Sequence, residues 1–374
     1  PVGAFLSGGV DSSIVSALAA RHHKHLHTFS IGYADDPYFD ETQYAEEVAR
    51  HIKSEHSTFK LTREELAENY PRLLAATDEP FADSSALPSF MLCERTRKQV
   101  TVAVSGDGAD EVFGGYTKHQ AELRWRSPGA QEQAVQLLAP LWRVLPRSRN
   151  GKWQNRFRQY DRFARLANTP EDRRFQELAA FTTHEEADSL VVVKVDTEAM
   201  AKRDTVFTGA FARMPGMNGA LLADVLSTLP NDMLHKVDLT SMANSLEVRT
   251  PFLDKRVVEF AFSLPAEAKL QKGSGKHILR ETFGHLLPTT VMTRNKKGFE
   301  VPLLELLRGP LTPLVDATFK KDLVESAGLD WKATSGVLKQ LRSSLPGTSQ
   351  ATVHALLVYI SWWKTHARQV PDLR

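Results

Sequence analysis

Cysteine is almost absent from this sequence: Cys93 is the only one among 374 residues. One cysteine cannot form an internal disulfide, and its apolar neighbours are more typical of a core position than of a nucleophile. The chain also contains no uninterrupted run of the roughly 18 apolar residues that a membrane-spanning helix requires. It opens without a basic segment leading into an apolar signal stretch. These absences favour a soluble protein, without a membrane partner, in a reducing cytoplasmic compartment.

Neither charge is in strong excess. Lys and Arg number 47 against 45 for Asp and Glu, which gives a formal net charge of +2. Because a nucleic-acid partner normally requires a basic surface, none is expected. Two phosphate-binding patterns are missing as well, the Walker sequence GxxxxGK[ST] and a GxGxxG that follows a strand. Their absence argues against the common P-loop and dinucleotide-binding sites.

Short apolar runs alternate with helical patterns over residues 1–116. Strands are predicted at residues 2–6, 27–31, 57–61 and 100–104, with helices at 12–21 and 41–52. This alternation predicts an α/β fold with a parallel sheet and flanking helices, whose ligand site lies beyond the carboxyl ends of the strands. The pattern then turns helical, which predicts a helical insertion at 117–220 and a largely helical C-terminal part at 221–374. An aromatic stripe at Trp153, Phe157, Tyr160 and Phe163 is interpreted as core rather than as a base-stacking platform.

The first strand is followed directly by LSGGVDSS, residues 6–13, and then by a helix. Two glycines allow the backbone to approach a pyrophosphate, while serine hydroxyls and the N–H groups of a helix N-terminus can donate to its oxygens. Asp11 would repel phosphates unless a cation lay between them, which favours magnesium. A plain strand-to-helix turn remains the alternative, because Gly, Ser and Asp are common turn and cap residues.

A second polar loop, SGDGADE at residues 105–111, follows the fourth predicted strand. If the two strands are neighbours, Asp110 can share magnesium with Asp11, and Asp107 can handle protons or an attacking amine. A solvated or calcium-like acidic turn is the alternative. A third segment, GSGKHILR at residues 273–280, places Lys276 at the start of a helix. There its ammonium could stabilise charge on a phosphoryl group.

In this order the three motifs resemble the synthetase domain of B-type, glutamine-hydrolysing asparagine synthetases, which belong to the ATP pyrophosphatase (PP-loop) superfamily, and the related β-lactam synthetases. The resemblance extends over nearly the whole chain and is weakest between about residues 118 and 220. Four further stretches carry it, together with the KHILR part (276–280) of the third motif: DEPFADSS (78–85), NDMLHKVD (231–238), SLEVRTPFLD (245–254) and RNKKGF (294–299).

This resemblance implies an adenine-nucleotide α-hydrolase-like fold and a two-step reaction. MgATP would adenylate the β-carboxylate of aspartate, and ammonia, normally derived from glutamine, would then displace AMP. Asp11 and Asp110 would bind magnesium, Lys276 would stabilise the phosphoryl transition state, and Asp107 would lie near the acyl-adenylate. The implied ATP contacts are Phe5, Ser7, Gly8, Gly9, Asp11, Ser12, Ser13, Ile31, Ser105 and Gly106.

Two departures from the family stand out. Asp107 occupies the place of a glutamate in the family's best-known members, and its side chain is one methylene shorter. The family's glutaminase domain, whose nucleophile is an N-terminal cysteine, has no counterpart here, since the chain begins with Pro1. We therefore expect that domain upstream in the native polypeptide.

Three matters stay open at this point. The acceptor could be another carboxylate, as in β-lactam synthetases, lasso-peptide cyclases or sugar-amidating enzymes. A non-catalytic nucleotide-binding module is the alternative from a different class. A homodimer is one option for the assembly, and no pattern in the middle helical segment indicates its role.

Overall fold

The computed structural model of the chain describes residues 1–146, 152–192, 197–294 and 298–366. These residues form two compact units. The first unit comprises Pro1–Ala76, Asp83–Gln120 and Met214–Pro302, and the second comprises Thr77–Ala82, Ala121–Arg213 and the described part of Leu303–Arg374. The motif at residues 294–299 is described in part only, because residues 295–297 lie outside the described residues.

The first unit is built on a five-stranded parallel sheet with the order β3-β2-β1-β4-β5. Its strands are β1 (Val2–Phe5), β2 (His27–Tyr33), β3 (Glu55–Leu61), β4 (Val102–Val104) and β5 (Glu247–Arg249). The chain runs outward from β1 to β3 and then returns to place β4 on the other side of β1, with Val2 opposite Val102. The order in which the chain adds strands to the sheet therefore reverses between β1 and β4. Such a topological switch point is the position at which parallel sheets bind ligands.

Helices account for most of the remaining described residues. In chain order they are α1 (Val10–His22), α2 (Thr42–Ile52), α3 (Arg63–Ala76), α4 (Ala86–Arg97), α5 (Ala109–Phe113), α6 (Thr117–Arg126), α7 (Ala130–Leu137), α8 (Ala139–Val144), α9 (Lys152–Leu166), α10 (Glu171–Ala179), α11 (His184–Asp188), α12 (Thr197–Arg213), α13 (Met217–Leu226), α14 (His235–Met242), α15 (Lys255–Ser263), α16 (Ala266–Lys269), α17 (His277–Phe283), α18 (Thr289–Thr293), α19 (Leu303–Arg308), α20 (Thr312–Thr318), α21 (Lys321–Ser326), α22 (Trp331–Arg342) and α23 (Ser349–His366). A short antiparallel hairpin, β6 (Leu270–Gln271) and β7 (Ser274–Gly275), precedes α17.

The predicted fold class is confirmed, since a parallel sheet with flanking helices is followed by a largely helical remainder. The four predicted strands are present with shifted ends: β2 continues to Tyr33, β3 begins at Glu55 and β4 begins at Val102. Within the largely helical C-terminal part, β5 and the β6–β7 hairpin are elements that were not predicted. These strands are only two or three residues long, too short to show an alternating apolar pattern.

The two faces of the sheet are covered by different apolar clusters. One cluster contains Leu6 with side chains of α1, α2 and α5, including Ile14, Val48 and Val112. The other contains Phe29, Ala103 and Cys93, the last on α4 and 2% exposed. Burial raises the pKa of the Cys93 thiol to about 12. The core interpretation of this cysteine is therefore confirmed.

The second unit is helical over most of its described residues, and its aromatic side chains pack in pairs. Trp125 stacks on Phe163 with ring centroids 4.3 Å apart, and Trp142 lies 5.1 Å from Tyr160. The interpretation of the α9 stripe as core is wrong for Trp153, which is 64% exposed. In the described residues no helix has the length and apolarity needed to cross a membrane.

Candidate active site

The loops that follow β1 and β4 meet at the topological switch point, where the strand order reverses. Gly106 shows how close they are, because a methyl group on it would lie 2.7 Å from the backbone nitrogen of Ser12 and 2.9 Å from Cβ of Asp11. Ser105 is buried, and its N–H donates to the carbonyl of Arg249 at the end of β5 over 2.9 Å. The two polar motifs are therefore brought together by neighbouring parallel strands.

The first loop is organised by its own hydroxyl groups. Ser12 Oγ accepts from the N–H of Ser7 over 3.1 Å and lies 2.9 Å from Ser7 Oγ, which in turn accepts from the N–H of Gly9 over 3.3 Å. Gly8 adopts a positive φ of 71°, and a methyl group there would lie 2.7 Å from the backbone nitrogen of Ala45 on α2. Ser13 is completely buried. The loop thus presents Ser7 and the N-terminus of α1, while Ser13 faces the interior.

Asp11, Asp110 and Lys276 converge at this junction. The Lys276 ammonium donates to Asp11 Oδ2 and lies 2.7 Å from Asp110 Oδ1. The lysine side chain is 5% exposed, against 18% for Asp11 and 21% for Asp110. Burial alone would lower the pKa of Lys276, but the two carboxylates raise it well above the ordinary lysine value. Lys276 is therefore a permanent positive charge with two negative neighbours at the carboxyl ends of β1 and β4.

Backbone geometry lets Lys276 reach the two carboxylates. Lys276 itself has a φ of 57°, a conformation that residues with a side chain rarely adopt and that is often found at functional sites. Its N–H donates to the carbonyl of Phe113 over 3.2 Å. Gly115 lies so close to Asp110 and to the Lys276 stem that an added methyl group would collide with both. A glycine at 115 is thus required for this contact.

Two converging carboxylates are a donor set that suits magnesium, which proteins usually hold through one or two carboxylates together with substrate phosphates. Within the described parts of the chain, no group of three or more His, Cys, Asp and Glu side chains is arranged to hold a metal ion alone. A metal bound by Asp11 and Asp110 would take its further oxygen ligands from water or from a bound nucleotide.

Asp107 lies in the same loop but has different neighbours. It accepts a hydrogen bond from the Ser105 hydroxyl over 2.7 Å. Its negative charge helps to raise the pKa of Lys236, a lysine that is only 9% exposed. The Lys236 ammonium donates to Asp83 Oδ2 over 2.8 Å and to Ser85 Oγ over 3.0 Å. Asp107 thus adjoins a buried polar cluster that contains Asp83, Ser85 and Lys236.

Asp232 belongs to this cluster as well. Burial, and then the charge of Asp83, raise the pKa of Asp232 to about 6, and its Oδ1 is buried without a hydrogen-bond partner among the described residues. The sequence assigned no role to Asp232 or Lys236, although both fall in the motif at residues 231–238. Lys236 and Asp83 are separated by 153 positions, so no local pattern could have paired them.

The remaining predicted ATP contacts lie on the central strands. Phe5 is the last residue of β1, and Ile31 lies in β2, where it is paired with Phe59 of β3. Both side chains are half-buried.

Glu111, next to Asp110, points inward and is 1% exposed, with the Tyr116 hydroxyl donating to it over 2.7 Å. Burial raises the pKa of Glu111 to about 7.

The closeness of the two loops gives a direct test. We expect Gly106→Ala to weaken nucleotide binding at least about tenfold, because a methyl group 2.7 Å from the Ser12 nitrogen forces the loops apart. Gly336→Ala in α22 is the matched control, since a methyl group there meets no atom within 4 Å. Titration with ATP followed by calorimetry measures both variants. Equal affinities in the two variants would refute the tight junction.

The sheet order and flanking helices are consistent with the PP-loop synthetase fold. The family model for asparagine synthase matches residues 1–365 of the chain. The chain therefore belongs to the asparagine synthase family. It is 32% identical over 340 residues to glutamine-hydrolysing asparagine synthetase 1 of Bacillus subtilis, a match that covers 87% of this chain and 51% of that protein.

Two other relatives extend the comparison. Glutamine-hydrolysing asparagine synthetase 3 of Bacillus subtilis is 28% identical over 368 residues, which cover 92% of this chain and 52% of that protein. Amidase chyE of Penicillium rubens is 24% identical over 382 residues, which cover 91% of this chain and 55% of that protein. The chain thus spans about half the length of these relatives.

Proposed function

We propose that this chain carries the synthetase activity of an asparagine synthetase: adenylation of aspartate by MgATP, followed by displacement of AMP by ammonia. One observation carries the proposal: Asp11, Asp110 and Lys276 converge at the topological switch point between β1 and β4. Opposite charges held together at this position are suited to a substrate that brings both phosphates and a metal ion. Membership of the asparagine synthase family supports the same reaction.

ATP would bind across the ends of β1 and β4. The N-terminus of α1 and the Ser7 hydroxyl face the phosphates, since helix N-terminal N–H groups attract anions. Gly8, Gly9 and Gly106 let the backbone approach closely, and Ser12 fixes the loop through its bonds to Ser7. Phe5, Ile31 and Ser105 lie near the adenosine, and Ser13 supports the loop from the interior.

In the first step an oxygen of the aspartate β-carboxylate attacks the α-phosphorus of ATP. The new P–O bond replaces the bond to the β-phosphate oxygen, so pyrophosphate leaves and β-aspartyl-AMP remains. Asp11 and Asp110 would hold magnesium, which would neutralise charge on the phosphates. Lys276 contributes a permanent positive charge in a largely buried position, where it stabilises negative charge on the transferring group more strongly than it would in water.

In the second step the nitrogen of ammonia attacks the acyl carbon. The C–O bond to AMP breaks, and the nitrogen loses a proton as the amide forms. Asp107 lies in the β4 loop and is oriented by the Ser105 hydroxyl, which suits it to accept that proton. We assign the catalytic roles to Asp107 and Lys276 on this basis.

The ammonia would come from glutamine, hydrolysed by a glutaminase domain upstream in the native polypeptide. Support for this part of the proposal comes from the relatives, which carry glutamine-hydrolysing in their names and are about twice as long as the matched region. The boundaries 1–116, 117–220 and 221–374 remain our proposed division of the chain into an α/β core, a helical insertion and a C-terminal part.

A second candidate keeps the adenylation and changes the acceptor. It is favoured by the relative named Amidase chyE, whose match covers as much of this chain as the asparagine synthetases do. The residues that would select the acceptor, including Asp83, Ser85 and Lys236, lie beside Asp107 and are distinct from the nucleotide loop.

We expect AMP and pyrophosphate to be released from MgATP in the presence of ammonium and aspartate, with asparagine as the product. Asp11→Ala should lower that rate at least about 100-fold, since it removes a carboxylate from the charged junction. Pyrophosphate release with a panel of carboxylic acids, combined with mass spectrometry of the products, is the measurement. Turnover with a different acid, and none with aspartate, would support the adenylation reaction but refute aspartate as its acceptor. If MgATP binds but AMP forms with none of the acids, the proposed catalytic activity is refuted.

A further inference from the structure

The segment that carries Lys276 is too short to hold its own position. The β6–β7 hairpin has only two residue pairs, Leu270 with Gly275 and Gln271 with Ser274, and its turn contains Gly273 with a φ of 82°. An isolated hairpin is marginally stable at best, even when it is longer. Because Lys276 follows directly after β7, the contacts that anchor the hairpin also determine where its ammonium lies.

Lys269 anchors the root of the hairpin. Its side chain is fully buried, and its ammonium donates to the carbonyl of Ala261 in the last turn of α15 over 2.8 Å. The same nitrogen lies 4.7 Å from the ring centroid of Phe262. The negative end of a helix and an aromatic ring both attract a cation. Lys269 therefore ties the residue before β6 to the C-terminal end of α15.

This burial has a cost that suggests a specific role. Among the described residues no carboxylate pairs with Lys269, and burial lowers its pKa to about 8. An amine of this kind contributes less to stability than a well-packed apolar side chain would, since desolvation of the charge is incompletely offset. What an apolar residue could not supply is the directional bond to the helix end.

Other contacts also anchor the hairpin, among them a hydrogen bond from Arg280 Nε to the carbonyl of Gly275 over 3.2 Å. Gln120 clamps its turn, because the side-chain amide donates to the carbonyl of Gln271 over 2.9 Å and accepts from the N–H of Gly273 over 3.0 Å. Leu270, which is 2% exposed, packs against Gly114 in the loop after α5. Lys269, Gln120 and Leu270 thus fix the root, the turn and the inner face.

We propose that Lys269 is a positioning residue for the adenylation: by tying the root of the hairpin to the end of α15, it fixes the Lys276 ammonium between Asp11 and Asp110. The inference rests on the proposed role of Lys276 and assigns to Lys269 no contact with substrate. A displacement of about 1 Å at a catalytic group can lower a rate about 100-fold.

The variant Lys269→Met keeps the length of the stem and removes the donor. We expect its kcat for pyrophosphate release to fall about 10- to 100-fold, with the KM for ATP changed less than about threefold. Leu66→Ala is the control for lost stability, because Leu66 is fully buried on α3 in the same unit and takes no part in the hydrogen bonds of the hairpin. A fall in kcat for Leu66→Ala equal to that for Lys269→Met would overturn the proposal.

A double-mutant cycle isolates action through Lys276. If Lys269 acts only by positioning that ammonium, then Lys269→Met combined with Lys276→Met is no slower than Lys276→Met alone. A merely structural role would make the two losses multiply, and that result would contradict the proposal.

A second readout does not depend on turnover. Lys276 is buried and paired, so acetic anhydride should acylate it slowly in the unmodified protein and several-fold faster in Lys269→Met, as quantified by peptide mass spectrometry. Unchanged protection of Lys276 would overturn the positioning role. If the unmodified protein forms no AMP with any acceptor, the proposed function fails, and the acylation rates alone decide on Lys269.

Discussion

Lys276→Met is expected to lower the rate of pyrophosphate release about 100- to 1,000-fold. The ammonium is the positive charge shared by Asp11 and Asp110 at the ends of β1 and β4. A preorganised charge that acts on the transferring group in a largely buried site is worth about 3 to 4 kcal/mol, which corresponds to this range of rates. Single-turnover measurement of pyrophosphate with saturating MgATP reports the step directly.

The same substitution should strengthen magnesium binding, although it lowers the rate of pyrophosphate release. Without Lys276 the carboxylates of Asp11 and Asp110 face one another without their shared cation, and two close negative charges attract a divalent ion more strongly. We therefore expect magnesium, in the absence of nucleotide, to raise the melting temperature of Lys276→Met more than that of the unmodified protein. A general loss of folding would not produce this gain.

Lys272→Met is the matched control. Lys272 is an exposed lysine in the turn of the same hairpin, so the chemical change is identical while the junction with Asp11 and Asp110 is untouched. Its rate and its response to magnesium should equal those of the unmodified protein. Loss of activity in both variants, or retention in both, would refute the assigned role of Lys276.

Much of the fold followed from local patterns. The four strands at residues 2–6, 27–31, 57–61 and 100–104 were found because the first and last are apolar runs and the other two place apolar residues at alternate positions. The two polar loops were found because glycine, serine and aspartate stand directly after such runs. What these patterns could not show is that β1 and β4 are neighbours, since the contact between Gly106 and Ser12 depends on the order of strands in the sheet.

The candidate site was predictable only in part, for a related reason. Asp11 and Lys276 are 265 positions apart and pair through a hairpin that the sequence did not reveal. The cluster around Lys236 was missed because its partners Asp83 and Ser85 precede it by more than 150 positions. Lys269 was missed because a lysine in a short helix is normally solvated. Long-range pairing of single polar residues leaves no periodic signal.

Lys236→Met is expected to destabilise the first unit by up to about 3 kcal/mol at neutral pH, because it leaves two partly buried carboxylates, Asp83 and Asp232, without their counter-charge. Burial alone would raise the pKa of Asp83, but the charge and hydrogen bond of Lys236, together with two hydrogen bonds from Ser85, hold it below the ordinary aspartate value. Burial and Asp83 already raise the pKa of Asp232 to about 6. Removal of the lysine therefore raises the folded-state pKa of both acids. Urea unfolding of the variant and the unmodified protein measures the loss.

The pH dependence of this loss has a definite sign. A carboxyl group whose folded pKa lies above its unfolded value binds a proton more readily in the folded state, so it contributes stability at low pH that disappears as the pH rises through the folded pKa. Asp232 is already a group of this kind in the unmodified protein and becomes more strongly so in Lys236→Met, and Asp83 is expected to join it. The deficit relative to the unmodified protein should therefore shrink as the pH falls from 7 to 5.

A second substitution separates charge from packing. In Lys236→Met combined with Asp83→Asn, one of the two unpaired charges is gone, so a large part of the stability lost at pH 7 should return and the deficit should depend less on pH. Lys255→Met, on the exposed face of α15, controls for the loss of a surface lysine and should change stability by less than about 0.5 kcal/mol. If the double variant is no more stable than the single one, and the deficit is equal at pH 5 and pH 7, Lys236 acts through packing and the charge argument fails.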